Sequence, residues 1–474
     1  MNDAAHQYAQ PRNAITCRWC GAESQTAGQP CQQCDHYIVD LPPWAEQLPS
    51  QQKWLNRKRV IRFGIIATVL TFLIWLNYPF LPDPAIILFK RPTTDLSSAS
   101  QPGQWSMIGW NSQKTRYLPD VTNQPKGEVL WSRHLGTNTL SSPTVADGVI
   151  YMGAHFRVIA LEADTGDLIW ERDATGPVHS SPAVAGDSIY LGFLDHRIMA
   201  MNRSDGQTRW QVKTEDAVSA SPTVSKGIVY IGGWDGITYA LDASSGKVIW
   251  KTQGVSSTHS SVAIHDGLAY TTDTEGNLYI LSARTGQKRH RFRTPGGNTD
   301  SPVAANGLVY FNSSGKVYAI DAKAREIPGE LQFKKVWAQF WLWQIPGVPK
   351  PAGQKGGRWR FSPDSEDAGI ISPPAVADSV LYAGDTHGIF YARDGIDGSE
   401  VWRLQADGAI SASPVVLGNL IYFGTRNGTL YALDRSSGEL IWQISLGAPI
   451  EAAPAFAQGR IYIRTSDGQL HAIQ

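Results

Sequence analysis

The sequence holds 474 residues, with 42 Lys and Arg against 42 Asp and Glu, so no net charge draws it to nucleic acid or to an acidic surface. Its four cysteines all precede residue 35, which excludes a disulfide-stapled secreted class. The length accommodates two or more domains.

Residues 1–16 are polar and unpatterned. Cys17-Arg-Trp-Cys20 follows, and ten residues further on comes Cys31-Gln-Gln-Cys34. Two C-x-x-C pairs offer four thiolates, the donor set of a tetrahedral structural zinc site with no open position. Gly21 and Asp35 suit the tight turns such knuckles need. Two disulfides or a redox pair are the alternatives, but so short a segment does not fold without a metal and no βαβ pattern surrounds it. Residues 1–40 are therefore expected to be a zinc-ribbon-like segment with Cys17, Cys20, Cys31 and Cys34 as ligands; His36 stands close enough to substitute.

Residues 41–62 read as a basic juxtamembrane linker carrying Lys53, Arg57, Lys58, Arg59 and Arg62. Residues 63–81 contain no charge, and as a helix they would reach about 28 Å, close to a hydrocarbon core. Trp75 and Tyr78 sit where an aromatic belt belongs. This predicts one transmembrane helix in the inner membrane, with the N-terminus in the cytoplasm and the rest of the chain outside, since the basic residues precede it. Residues 82–103 are rich in Pro and Ser and read as a tether, with Ala85–Phe89 a short apolar patch suited to a membrane surface.

Beyond residue 103 the chain repeats itself. Ala240-Leu-Asp-Ala-Ser-Ser-Gly-Lys-Val-Ile-Trp250 has the spacing A-x-D-x-x-x-G-x-x-x-W, which recurs in full at Ala392 to Trp402 and Ala432 to Trp442. Variants with Glu162 or Asn202 in the Asp place end at Trp170 and Trp210. Prolines at 143, 182, 222, 302, 374, 414 and 454 keep the same beat of about 40 residues, with Val262 filling the one missing step. Such a period signals a solenoid or a propeller. Within residues 220–250, four β-branched or aromatic runs are separated by Ser-Lys-Gly, Trp-Asp-Gly and Ser-Ser-Gly turns, which describes a four-stranded antiparallel meander. One meander cannot bury both faces, so copies pack radially as a β-propeller. Trp131 keeps the beat without a preceding unit, while the unit opened by Pro454 stops before any Trp. Residues 127–136 should therefore supply the outer strand of a last blade whose other strands lie within 452–473, joining the N- and C-terminal strands of an eight-bladed, all-β ring. Trp131, Trp170, Trp210, Trp250, Trp402 and Trp442 are the expected docking residues between blades.

These tryptophan motifs, together with the lead-in Trp105-Ser-Met-Ile-Gly-Trp-Asn-Ser-Gln-Lys-Thr-Arg-Tyr117, resemble the PQQ-type propeller repeat of quinoprotein alcohol dehydrogenases and BamB-like assembly lipoproteins. The resemblance covers residues 104–474 and implies the fold; the activity does not follow from it, since one ring serves enzymes and scaffolds alike.

Blade four is the weakest, with His290 in the Trp place. An insertion at about 325–371 interrupts the beat; there Trp337 is the candidate docking residue, and Phe340, Trp341, Trp343 and Trp359 have no place in the repeat. A long aromatic insertion is a candidate partner surface, the alternative being aromatics folded onto the propeller's own rim. No nucleophile–base pair, HExxH or Walker loop is present. His179, His259, Asp300 and Glu451 open innermost strands and are candidates to face the central funnel. The quinoprotein enzymes implied by the resemblance carry an adjacent-cysteine disulfide and acidic calcium ligands. The propeller has no cysteine and matches no such ligand motif, so PQQ is not the expected cofactor. The expected function is a membrane-anchored, extracytoplasmic, non-enzymatic scaffold for protein partners, in envelope protein assembly as the resemblance implies. The rivals are a PQQ-dependent oxidoreductase and a ligand sensor coupled to a cytoplasmic zinc ribbon.

Overall fold

The computed structural model describes residues 16–17, 20–23, 29–36, 59–71, 83–98, 103–121, 123–136, 141–297, 300–327 and 330–474. The chain divides into two compact units, Met1–Trp75 and Leu76–Gln474.

In the first unit the four cysteines converge, and a helix covers residues 59–71. This corrects the expected placement in a membrane. No helix among the described residues is long and apolar enough to cross one. The described helical residues include Arg59 and Arg62 of the basic stretch. The thirteen described helical residues reach about 20 Å, against a hydrocarbon core of about 30 Å. Residues 72–81 of the expected span lie outside the described residues.

The second unit is an eight-bladed β-propeller. In the third blade Thr223–Ser225, Ile228–Gly232, Ile237–Asp242 and Val248–Gln253 follow one another antiparallel from the funnel outward. The two middle strands are buried throughout, because each sheet has a sheet on either side. The register explains the motif. Tyr230, Ala240 and Trp250 form one cross-strand row, and the small Ala lies between the two large rings. Asp242 then fastens the turn, its Oδ1 accepting from the Ser245 N–H at 2.9 Å. Gly246 has φ +71°, and a Cβ there would lie 2.7 Å from the Trp210 ring, so two independent constraints demand glycine.

The eighth sheet has the order Val129–His134, Gln469–Ile473, Arg460–Arg464, Ala455–Ala457, so an N-terminal strand lies beside the C-terminal one with Trp131 opposite Ala472. Residues 83–98, expected as a tether, are laid on the sheets instead. Ile86, in the short helix Pro84–Phe89, is buried beside Tyr230 and Ile249, and Thr93 donates its N–H to Asp242 Oδ2 at 2.7 Å. Of the apolar patch, Ile86 therefore sits in the propeller core, while Ile87, Leu88 and Phe89 are exposed.

The lead-in crosses the inner ends of six blades, and Ser98 before it reaches the remaining one, the third, among blades one to seven. The N–H groups of Val184, Ile264, Ala304, Val376 and Val416, each the second residue of its inner strand, donate to Ser106, Ser112, Gln113, Thr115 and Arg116 carbonyls at 2.7–2.9 Å. Trp105 exchanges two such bonds with Val145, and the Ser98 N–H donates to Val224. The path forces Trp110, Lys114 and Arg116 to positive φ, a conformation that non-glycine residues hold only when their surroundings fix it.

The insertion resolves into the helix Glu330–Leu342 and the strand Gly357–Phe361, which is the outer strand of the fifth sheet. Trp359 thus belongs to the repeat, opposite Ala319, and is withdrawn as a partner-surface residue. Trp337 is not the docking residue of that blade: it lies on the helix and donates Nε1–H to Pro349 O at 2.8 Å.

Candidate functional site

Three places carry chemistry. The first is the cysteine cluster, where all four Sγ atoms lie within 4.8 Å of one another and could hold a metal ion. Cys17 and Cys34 Sγ are 3.6 Å apart, as are Cys20 and Cys31. The two knuckles are built alike. The Gly21 N–H donates to Cys17 O and the Asp35 N–H to Cys31 O, both at 2.8 Å, with Gly21 and Asp35 at positive φ. His36 turns its Nδ1 to Cys34 O at 2.9 Å and lies outside the group of four.

The second place is the set of seams between blades. Trp131 lies over Gly166, Trp170 over Gly206, Trp210 over Gly246, Trp250 over Gly286, Trp402 over Gly438 and Trp442 over Gly127. Each indole Nε1–H donates to a carbonyl of the facing turn, at 2.9–3.2 Å. Trp359 does the same over Gly398, donating to Gly395 O at 2.9 Å. At the seam after blade four, His290 takes the indole's place, and its Nε2 lies 3.0 Å from Lys355 O.

The third is a cavity of about 400 Å³ in the central funnel, which brings together His179, His259, Asp300 and Glu451, with Arg116 and Ile108 from the lead-in. A chain of serines runs along its wall across five blades. The N–H of Ser142 donates to Ser181 Oγ, that of Ser181 to Ser221 Oγ, that of Ser221 to Ser261 Oγ and that of Ser261 to Ser301 Oγ, at 2.8–3.2 Å. Each bond crosses from one blade to the next.

Burial governs the charges in the funnel. It lifts the Asp300 carboxyl to about 7, although an Asn312 amide bond at 3.1 Å and the Arg116 charge pull the other way. It lowers Arg116 to about 10, with Asp300 opposing. Lys114, fully buried and repelled by Arg116, falls well below the ordinary lysine range. His179 and His259 are both lowered by burial, which favours neutral imidazoles. The cup is thus a mixed donor–acceptor surface suited to a polar solute. Arg116 and the serines were not singled out in the sequence, though the Ser preceding five of the seven prolines kept the repeat's beat and was a readable signal.

The helix Glu330–Leu342 and the residues just after it leave Phe340 at 40%, Trp341 at 39% and Trp343 at 64% exposure, values that set them apart from every seam tryptophan named above. Lys350 Nζ sits 5.8 Å from the Trp341 ring centroid.

No curated protein matches the chain in sequence. Among solved structures, BamB from Moraxella catarrhalis is similar at 15% identity and TM-score 0.57, covering 73% of this chain and 97% of that one. The computationally designed Ika8 protein is similar at 16% identity and TM-score 0.58, covering 72% and 99%. Quinohemoprotein alcohol dehydrogenase from Comamonas testosteroni follows at 15% identity and TM-score 0.60, covering 83% and 82%. At these identities the likeness is one of fold. The family model described as outer membrane protein assembly factor BamB matches residues 120–323, 334–423 and 410–474, and the chain therefore belongs to the BamB family.

Proposed function

We propose that this protein is a non-enzymatic interaction scaffold: a ring over residues 104–474, closed through the strand Val129–His134, that serves protein partners in envelope protein assembly. Family membership supports a protein-interaction role. The observation that carries the reading is the helix Glu330–Leu342, which breaks the repeat to leave Phe340, Trp341 and Trp343 exposed together. Large aromatics on a surface are the usual anchors of an interface. A photo-crosslinking amino acid at position 343 of the full chain should give a discrete protein adduct. Trp341→Ser should abolish that adduct while the melting temperature holds. Absence of any adduct, or adducts indifferent to Trp341→Ser, retires the reading.

The four cysteines, within residues 1–40, are proposed to hold one structural zinc. Bonds of about 2.3 Å at tetrahedral angles put sulfurs about 3.8 Å apart, and the separations of 3.6 Å support that fit. Such a zinc supplies folding energy and no catalysis.

The rival, a PQQ-dependent oxidoreductase, draws on the fold likeness to the alcohol dehydrogenase and on the polar cup. The cup's donors count against it. A polyanionic quinone would face Asp300 and Glu451, while Arg116 Nη1 is already held by the Lys114 and Pro374 carbonyls. Calorimetric titration with PQQ and calcium tests it, and saturable calcium-dependent binding would favour the rival.

A further inference from the structure

The seam where His290 replaces tryptophan holds a groove of about 550 Å³ between the fourth and fifth sheets. Its floor is apolar, made by Phe292, Tyr318 and Ile320, and its rim carries Arg293, Arg358 and Arg360. The insertion builds one wall. Gln354 clamps the backbone of Arg293 from both sides, its Oε1 accepting from the N–H at 2.8 Å and its Nε2 donating to the carbonyl at 2.7 Å. Lys355 and Lys334 both pair with Glu330, which ties that wall to the helix Glu330–Leu342.

Charge on this face is one-sided. The groove's lining includes Arg293, Arg358 and Arg360 and no Asp or Glu, on a chain with equal totals. The nearest acids of the wall are engaged, Glu330 by two lysines and Glu326 beside His290. Arg358 pairs with Asp321 at 2.7 Å, whereas the guanidinium groups of Arg293 and Arg360 have no ion-pair partner among the described residues. A rim of unpaired guanidinium groups above an apolar floor matches carboxylates flanking an apolar side chain. Aliphatic Val336, Leu342 and Ile345, each at least 40% exposed on or beside the helix, extend the apolar surface in a way that suits a polypeptide better than a nucleic acid.

We propose that this groove docks an acidic polypeptide segment, an Asp/Glu-rich stretch that seats one apolar side chain on Phe292, Tyr318 and Ile320. The proposal rests on the scaffold reading and names the chemistry of one partner.

The test uses the full chain and displayed random dodecapeptides. Selection should enrich sequences with Asp or Glu around one Phe, Leu or Trp. A synthetic peptide of the enriched consensus, titrated by fluorescence anisotropy, should lose at least about tenfold in affinity against Arg293→Glu/Arg360→Glu, and also as salt is raised. The milder Arg293→Gln/Arg360→Gln pair should lose less, which keeps the result readable if charge reversal unfolds the protein. Enrichment of neutral or basic peptides, or affinity unchanged in both variants, overturns the proposal. An oligo(dT) probe that displaces the peptide would assign the groove to nucleic acid, and self-association abolished by the same variants would assign it to a second copy; either result overturns it too. Crosslinked adducts at position 343 with no peptide binding here would leave the scaffold reading standing and remove only this groove.

Discussion

Tyr230 and Trp250 end on the same atom. The phenol O–H at 3.1 Å and the indole N–H at 3.0 Å both donate to the carbonyl oxygen of Ala283 in the next blade. Tyr190 with Trp210 on Ala243 O, and Tyr310 with Trp359 on Gly395 O, repeat the arrangement. One acceptor with two lone pairs thus satisfies both buried donors of a seam, and losing either ring disturbs the packing around the other.

Trp250→Ala should therefore cost about 3 kcal/mol or more, as a buried indole is lost over Gly286. Denaturant unfolding of the full chain measures it. A shift within error of zero would show that the seam does not depend on its indole.

Trp359 and Trp343 make a sharper comparison, being close in sequence and opposite in environment. Trp359→Ala should destabilise about as much as Trp250→Ala, and Trp343→Ala should stay within about 0.5 kcal/mol of the parent. Equal effects would dissolve the division between seam and surface.

Asp300 makes stability depend on pH. Its folded value of about 7 lies above the unfolded range near 4, so the folded protein retains a proton that the unfolded chain releases. Stability should fall as pH rises from about 4 to about 7 and level off above that. Asp300→Asn removes the titration and should gain on the parent across this window by on the order of 1–2 kcal/mol, a reduced figure because the cup admits water. Melts between about pH 5 and about pH 8 check it; a constant offset would show that Asp300 does not titrate there.

For the cysteine cluster, elemental analysis of the full chain should find about one equivalent of zinc, lost in Cys17→Ser while the propeller's melting transition holds. A metal-free protein, or zinc retained by the variant, would count against a four-thiolate site.

Much of this was legible because the repeat writes its packing into spacing. The Ala, Gly and Trp of the motif are one residue between two rings, one residue under a ring, and the ring itself. Trp359 was misread because the helix Glu330–Leu342 delays it past its expected beat, so periodicity pointed to Trp337 instead. The cysteine knuckles followed from local spacing. Arg116 and the arginine rim did not, since funnel and groove are assembled from strands far apart in the chain. The residue 63–81 run was read from lack of charge, which measures apolarity and says nothing of helix length, and no helix among the described residues is long and apolar enough to cross a membrane.

The eighth sheet carries a consequence for how the molecule is made. Ser132 bonds to His471 across 339 residues of chain. The strand Val129–His134 is synthesised early and its neighbour Gln469–Ile473 long after it, so an open strand edge persists while seven other blades are assembled. Pairings of such sequence separation form slowly, and an unpaired edge invites the wrong strand meanwhile. Refolding should thus be limited by this last pairing and suppressed at high protein concentration, even where each blade forms readily from its own hairpins.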